Sequence, residues 1–327
     1  MLLPFVSIVI PAFNEEEYIG RCLLSLEKLD YPKDRFDVRV IDNGSDDDTV
    51  KVCRKLGVDV EVKSGVRVGA VRNYGALKSD CDILAFVDSD CEVGTNWLLS
   101  AVKEFENEST GAVGGACLAA QDACWVEKAW ASSQSVPRKV VKALAGSCFI
   151  VRKSIFDDLG GFNESMSAGE DDDLSNRVKL SGYTIVKLKE CAVVHLGYPK
   201  TLMATMKRQI WHGSYQIESA RTKTDKLLWL VHIYSLAVFV LPVLLISLIF
   251  GYPSLFFVVA ALAAILGIPA LATMVKNTRS ESNHSGIAIT TQRYVLYQVY
   301  FVGRMIGLIK NYSRRLFSSQ KVVREEE

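Results

Sequence analysis

The sequence predicts an α/β protein. A domain on a mostly parallel, Rossmann-like sheet is followed by a C-terminal helical hairpin long enough to cross a bilayer. Three observations carry that expectation. Before residue 226, short apolar runs alternate with amphipathic stretches, the rhythm of βαβ units. Near residue 226 the composition turns abruptly apolar, and the mean hydropathy of +0.17 is high for a protein without membrane contact. The length of 327 residues allows about two domains, here divided as 1–226 and 227–327. With 38 basic against 37 acidic side chains, the net charge of +1 excludes a broad electrostatic grip on nucleic acid.

Val6–Ile10 is a β-branched run and the expected first strand. No basic residue precedes it, and Pro11 with Glu15–Glu17 cuts it short, so it does not read as a secretory signal. Glu16–Leu29 reads as a helix on the spacing of Ile19, Leu23, Leu24 and Leu26. Val38–Ile41 is the second strand; Ser45 or Asp46 is expected to cap a helix ending near Leu56, with Gly57 in the stop position. Val58–Val62 is short and extended, Val66–Leu77 helical, and Ile83–Val87 a buried strand. All eight cysteines lie in the first 191 residues without a CxxC pair or zinc-like spacing, which points to buried, reduced thiols.

Leu227–Phe250 carries no formal charge over 24 residues, and Ser254–Val275 gives 22 more. Each exceeds the roughly 20 residues that span about 30 Å of hydrocarbon. Gly251-Tyr252-Pro253 is a link fit for a tight hairpin; the alternative is a buried helical pair in a soluble fold. A third stretch, Ile287–Ile309, mixes Gln292, Arg293, Gln298 and Arg304 with Tyr294, Tyr297, Tyr300 and Phe301. Lys276 and Arg279 precede it, and Lys310, Arg314 and Arg315 follow. An interfacial amphipathic helix keeps both basic clusters in the cytoplasm, whereas a third span exports one of them. The expected location is the cytoplasmic (plasma) membrane, multi-pass, with the N-terminal domain on the cytoplasmic face. Glu325–Glu327 reads as a frayed end.

In an open parallel sheet, ligands collect beyond the carboxyl ends of the strands. Three such ends carry polar residues: Pro11-Ala12-Phe13-Asn14-Glu15, Asp42-Asn43-Gly44-Ser45 and Asp88-Ser89-Asp90. Asp88 and Asp90, spaced i and i+2, project to one side of an extended backbone and repel unless a cation intervenes. Oxygen ligands suit Mg2+ or Mn2+. The competing reading is a turn that caps a helix near Asn96-Trp97-Leu98. A second acidic cluster, Gly169-Glu170-Asp171-Asp172-Asp173, opens an amphipathic run; it reads either as a general base at a helix start or as plain dipole capping.

Taken together, residues 5–215 resemble the GT-A glycosyltransferases of family 2, an inverting group. The resemblance rests on Val6-Ser-Ile-Val-Ile-Pro-Ala-Phe-Asn-Glu-Glu, Ile41-Asp-Asn-Gly-Ser-Asp-Asp, Val87-Asp-Ser-Asp and Gly169-Glu-Asp-Asp-Asp-Leu-Ser-Asn-Arg. It implies a nucleotide-sugar donor, in the first instance a UDP-sugar, and a divalent cation, Mg2+ or Mn2+. By that likeness Pro11, Phe13 and Glu15 would line the nucleoside pocket, Asp42 would read the base and Arg72 would lie near the nucleotide. Asp88 would approach the ribose or the metal, Asp90 would ligate the metal, and His195 would reach it. Gly146 and Ser147 resemble the loop between donor and acceptor. Asp171, in a pair with Glu170, takes the catalytic-base place.

The chain departs from the processive members, which carry Gln-x-x-Arg-Trp; here the region reads Lys207-Arg208-Gln209-Ile210-Trp211-His212. This favours transfer of one sugar. Arg208, Trp211 and His212 read either as diphosphate or acceptor contacts or as a juxtamembrane belt. Segment 117–145 is expected to shape the acceptor side. The membrane region implies a membrane-associated acceptor: a polyprenyl phosphate, a lipid-linked glycan or a glycolipid of the cell envelope. Alternatives are a processive polysaccharide synthase and a non-catalytic, membrane-anchored nucleotide-sugar-binding protein. A nucleotidyltransferase would need a glycine-rich loop after the first strand, which Pro11-Ala-Phe-Asn-Glu-Glu does not offer.

Overall fold

The computed structural model describes residues 3–131, 137–219, 226–252, 254–278 and 286–325. It forms two compact units, Met1–Ala123 with Ala131–Tyr198, and Cys124–Trp130 with Pro199–Glu327. Pro253, Arg279, Glu326, Glu327 and residues 132–136 of the 117–145 segment lie outside the described residues. In chain order the elements are β1 (Val6–Ala12), α1 (Ile19–Glu27), β2 (Phe36–Asp42), α2 (Thr49–Lys55), β3 (Val60–Val62), α3 (Val68–Leu77), β4 (Ile83–Val87), β5 (Cys91–Val93) and α4 (Trp97–Glu104). There follow β6 (Thr110–Gly114), β7 (Cys117–Ala119), α5 (Trp125–Trp130), β8 (Lys139–Val140), β9 (Cys148–Arg152), α6 (Lys153–Asp158), α7 (Glu170–Leu180), β10 (Thr184–Lys187) and β11 (Val193–His195). The chain ends with α8 (Leu202–Ser219), α9 (Lys226–Ile249), α10 (Leu255–Thr278) and α11 (Ile287–Glu325).

Among the described residues the first unit holds an eight-stranded sheet in the order β3-β2-β1-β4-β9-β6-β10-β8. β9 runs against β4 and β6, and β8 against β10; the other pairs are parallel, so the sheet is mostly parallel as expected. All seven residues of β1 are buried, as a central strand covered on both faces requires. Ile8, Ile10, Ala85 and Val87 belong to one apolar cluster, while Val9, Leu84 and Phe86 belong to another. That is the two-residue alternation of a strand with a core on each side. α1 buries Ile19, Cys22, Leu23 and Leu26, a helical stripe. Register pairs Ala12 with Asp42 and Val9 with Phe86, so β1, β2 and β4 end at one edge of the sheet.

Two local expectations change. Neither Ser45 nor Asp46 caps α2: the helix begins at Thr49 after Asp48, without a side-chain cap, and Ser45 Oγ instead accepts from Asn14 N while donating to Asp42. The stop signal holds, with Gly57 in the left-handed region at φ 73°. Of a second, three-stranded sheet, β5-β11-β7, the sequence reading has only the strand-like Cys191–Val194, which overlaps β11; β5 and β7 had no counterpart. Its strands have three residues each, too few for periodicity to register. β5 also separates Asp90 from Asn96, so neither Asp88 nor Asp90 caps α4. All eight cysteines are free thiols.

In the second unit, Leu228–Ile249 and Leu255–Thr278 have mean hydropathies of 2.3 and 2.6, and only 11% and 17% of their most apolar windows is buried. A core helix of a soluble protein would be mostly buried; these two fit a transmembrane hairpin. Trp229, Phe239, Ile246, Phe256 and Phe257 are among the exposed side chains. α11 continues well beyond the predicted 287–309, for 39 residues, and is not among the described helices apolar enough to cross. α8 packs along α11 through glycines: a Cβ on Gly307 would lie 2.2 Å from the Ile210 carbonyl oxygen, and one on Gly213 2.6 Å from that of Arg304. Gly303 and Gly307 are spaced four apart, the small-residue stripe that lets helix backbones meet. Contacts therefore divide the chain at Tyr198, whereas composition divides it near 226.

Candidate active site

The edge where β1, β2 and β4 end is built from loops that bond to each other. Asn14 adopts φ 56°, a left-handed conformation that its short amide tolerates, and its Oδ1 accepts from Asp46 N at 3.0 Å. Asn14 N donates to Ser45 Oγ, and Glu15 N to Thr49 Oγ1 at 2.7 Å. Asp42, 1% exposed, accepts from Gly44 N and Ser45 N at 2.9 Å and from Ser45 Oγ at 2.5 Å, so both its oxygens hold its own loop. Pro11 is buried in β1 opposite Ile41, and Phe13 stands 55% exposed on the loop beyond.

Deeper in, Arg72 of α3 reaches two acids from distant parts of the chain. Its Nη2 donates to Asp88 Oδ1 at 2.8 Å, past the end of β4, and its Nη1 to Glu170 Oε1 at 2.7 Å, at the start of α7. Its guanidinium lies 5.4 Å from the Phe162 ring centroid, and Nε has no hydrogen-bond partner. Burial opposes the charge on Arg72, but Asp88 and Glu170 outweigh it and hold the group protonated. Gly146 closes the other side: a Cβ there would sit 2.7 Å from Arg72 Nη2. Gly146 N donates to Asp171 Oδ2 at 2.8 Å, while Oδ1 accepts from Asp172 N. Burial raises the Asp171 carboxyl above the ordinary range, against the pull of the Gly146 amide. Burial raises Glu170 as well, against the attraction of Arg72. Ser147, beside Gly146, is 6% exposed with its Oγ 3.0 Å from Cys117 Sγ.

Asp90 is placed by the small sheet. Cys91 pairs with His195 in register, and Leu196 N donates to Asp90 O at 2.8 Å, so the Asp90 side chain meets the end of β11. Asp90 Oδ2 lies 3.5 Å from His195 Nδ1. His195 is 8% exposed, stacks on Tyr198 at 4.3 Å, and its Nδ1 makes no hydrogen bond. A buried ring nitrogen beside a carboxylate without a hydrogen bond fits a cation ligand. Ligand atoms of Asp90, Cys91 and His195 lie within 4.8 Å of one another. Cys91 is the odd member: burial and the neighbouring Asp90 and Asp88 push its thiol well up, so it stays protonated and offers little to a hard cation. Glu15 is pushed up to about 8 by burial, then by Asp90 and Asp88, which places it in the same negative field.

The fold thus gathers Glu15, Arg72, Asp88, Asp90, Gly146, Glu170, Asp171 and His195 around one edge. Pro11 and Asp42 serve the strand ends, with no polar atom of Asp42 left over. Tyr198 and Gly197 were missed from sequence. A Cβ on Gly197 would fall 2.0 Å from Asp90 Oδ2, a close approach that Leu196-Gly197-Tyr198 announces only by the glycine.

The comparisons with known proteins agree with this architecture. Residues 7–160 match the family described as Glycosyl transferase family 2, and residues 84–275, more than half of the chain, match Glycosyl transferase family group 2. Glycosyltransferase AglE of Haloferax volcanii is 28% identical over 66% of this chain and 74% of its own. Beta-monoglucosyldiacylglycerol synthase of Trichormus variabilis is 26% identical over 92% of this chain and 72% of its own. Mannosyltransferase PcManGT from Pyrobaculum calidifontis, solved in complex with GDP-Man and Mn2+, superposes with a TM-score of 0.60 at 17% identity, covering 95% of this chain and 88% of that one. At that identity the structural likeness establishes the GT-A-like fold. With the family matches covering most of both the sheet unit and the apolar hairpin, the chain belongs to the family 2 glycosyltransferases.

Proposed function

We propose that the chain transfers a single sugar, with inversion, from a nucleoside diphosphate sugar to a membrane-associated acceptor. The observation that carries this reading is the convergence of Asp88, Glu170 and Asp171 about Arg72 at the edge that also holds Asp90 beside His195. The PcManGT complex with GDP-Man and Mn2+ supports a nucleotide-sugar donor and a divalent cation. Similarity to Beta-monoglucosyldiacylglycerol synthase, which runs into the hairpin, supports a lipid acceptor. The catalytic unit is assigned to the cytoplasmic face, where α9 and α10 restrict its search to the bilayer plane.

Mg2+ or Mn2+ held by Asp90 and His195, with Asp88 beside them, would neutralise charge on the departing diphosphate. The chain supplies the rest. Phe13 and Glu15 line the nucleoside side, on a loop that the buried Pro11 and Asp42 hold in place. Asp171, held by the Gly146 amide, accepts the proton of the attacking hydroxyl at a carboxylate oxygen as the alcohol approaches the anomeric carbon from the face opposite the leaving group. Glu170 is spent on Arg72, so it is a positioning residue that keeps Arg72 and Asp88 in place. Gly146 and Ser147 form the loop between the two substrates.

A donor screen following nucleoside diphosphate release, with extracted membrane lipids present, tests the reading. One donor should release diphosphate only when lipid is added, and the sugar should appear on the lipid as a single residue of inverted configuration. Absence of release with every nucleotide sugar would leave a binding protein; a ladder of products would make it a polymerase.

A further inference from the structure

The end of the second apolar helix carries a charge that the catalytic reading does not use. Arg293 of α11 is 5% exposed. Its Nη1 donates to Asn277 Oδ1, and its buried Nε has no hydrogen-bond partner. Asn277 in turn donates from Nδ2 to Thr290 Oγ1 at 3.1 Å, which fixes the amide oxygen toward the arginine. Lys276, one residue earlier on α10, sends its Nζ to the Trp130 carbonyl of α5 at 3.1 Å. Both cations thus have neutral partners, and among the described residues no carboxylate pairs with either. A buried Arg293 beside a partly buried Lys276, without a counter-charge, is costly, and an anion seated between them relieves that cost.

The surroundings say which anion. Lys276 stands where the 24-residue apolar helix ends, and the turn before it exposes Leu271, Met274 and Val275 at 54, 64 and 40%. A ligand with a phosphate beside the cations and acyl chains along those apolar side chains matches both features. Basic pockets between helices at the bilayer surface take phosphate head groups in this way. We propose that Lys276 and Arg293, packed among α5, α10 and α11, bind the phosphate of an anionic membrane lipid. The site is built from residues of the second unit alone, and it rests on α9 and α10 spanning the bilayer.

Flotation of the full chain with phosphatidylcholine vesicles comes first; a chain that stays in the soluble fraction overturns the hairpin reading itself. The micelle-held full chain is then titrated with dioctanoyl phosphatidylglycerol, dioctanoyl phosphatidylcholine or inorganic phosphate, and binding is read as a rise in the unfolding midpoint. The glycerol lipid should raise the midpoint and the choline lipid should not. Lys276→Gln should weaken the response about fivefold, with Lys276→Arg retaining it. Arg293→Gln should act in the same direction, and if it fails to fold the Lys276 pair of variants still decides. Equal response to the two lipids, or an unchanged response in Lys276→Gln, sinks the site without touching the hairpin. Saturation by inorganic phosphate alone would make the ligand a free anion and overturn the lipid assignment.

Discussion

Arg72 with Asp88 and Glu170, past the end of β4 in the large sheet, and His195 with Asp90, placed by the small sheet, are two acid–base clusters built in opposite ways. In the first, both terminal nitrogens of a 3%-exposed guanidinium are tied at 2.8 and 2.7 Å. In the second, the nearest approach is 3.5 Å and the ring nitrogen makes no hydrogen bond although it is buried. The first cluster spends its charge internally and so fixes positions. The second buries a ring nitrogen without a hydrogen bond beside a carboxylate, an arrangement that suits a cation ligand. Asp171 stands next to the first cluster but belongs to neither: its oxygens accept backbone amides, and its proton affinity is raised by burial.

That contrast is most open to refutation at Asp171. Asp171→Asn should cut turnover by about 10²- to 10⁴-fold while donor affinity is retained. In the parent enzyme the base works only when ionised, so activity should fall as pH drops through its raised pKa. The acid limb should therefore lie above the ordinary Asp value of about 3.9. Retained turnover in the variant would remove the base. Next in size, Arg72→Met should cost about 3–5 kcal/mol in denaturant unfolding, because it strands a buried Glu170. Arg72→Met combined with Glu170→Met should recover part of that loss, since an apolar pair leaves no stranded charge. A loss below about 1 kcal/mol for the single variant would mean the first cluster does not hold the site together.

The two clusters were also unequally legible in the sequence. Asp88 and Asp90 could be read because β-branched runs mark strand ends, and strand ends of a parallel sheet share an edge, whereas Glu170 and Asp171 stood out as an acidic run opening a helix. Val6–Ile10 and Ile83–Val87 are buried on every residue, so their signal is strong. That Arg72 would tie Asp88 to Glu170 was not legible, since it links residues 16 and 98 positions away from it through a helix face of modest amphipathicity. For His195 the residues gave a strand-like run, Cys191–Val194, but its approach to Asp90 was legible only by likeness, since it depends on pairing with Cys91 between three-residue strands, which local preference does not specify. Ser45 misled for a physical reason. A serine three residues after a buried aspartate serves that aspartate before it serves a helix.

The second cluster separates from the first in smaller effects. Asp90→Ala should shift the unfolding midpoint less than Arg72→Met does, because the 3.5 Å approach of Asp90 to His195 is looser than the 2.7 Å pair that holds Glu170. It should nevertheless remove the metal-dependent part of donor affinity, on the order of a hundredfold. Donor affinity indifferent to both metal and mutation would end the ligand assignment.

The smallest effect is the most discriminating. His195 does two things that sequence cannot separate: it stacks on Tyr198 with ring planes 19° apart, and it turns Nδ1 toward Asp90. His195→Phe keeps an aromatic ring for the stack and deletes the nitrogen. If the nitrogen is a ligand, the concentration of Mn2+ giving half-maximal activity should rise about tenfold in His195→Phe, with turnover restored at saturating metal. His195→Ala should show the same metal shift together with a lower unfolding midpoint, from loss of the stack. If His195→Phe matches the parent at every metal concentration while His195→Ala does not, then the histidine is held for its ring, and the buried nitrogen beside Asp90 is a tolerated cost of that packing.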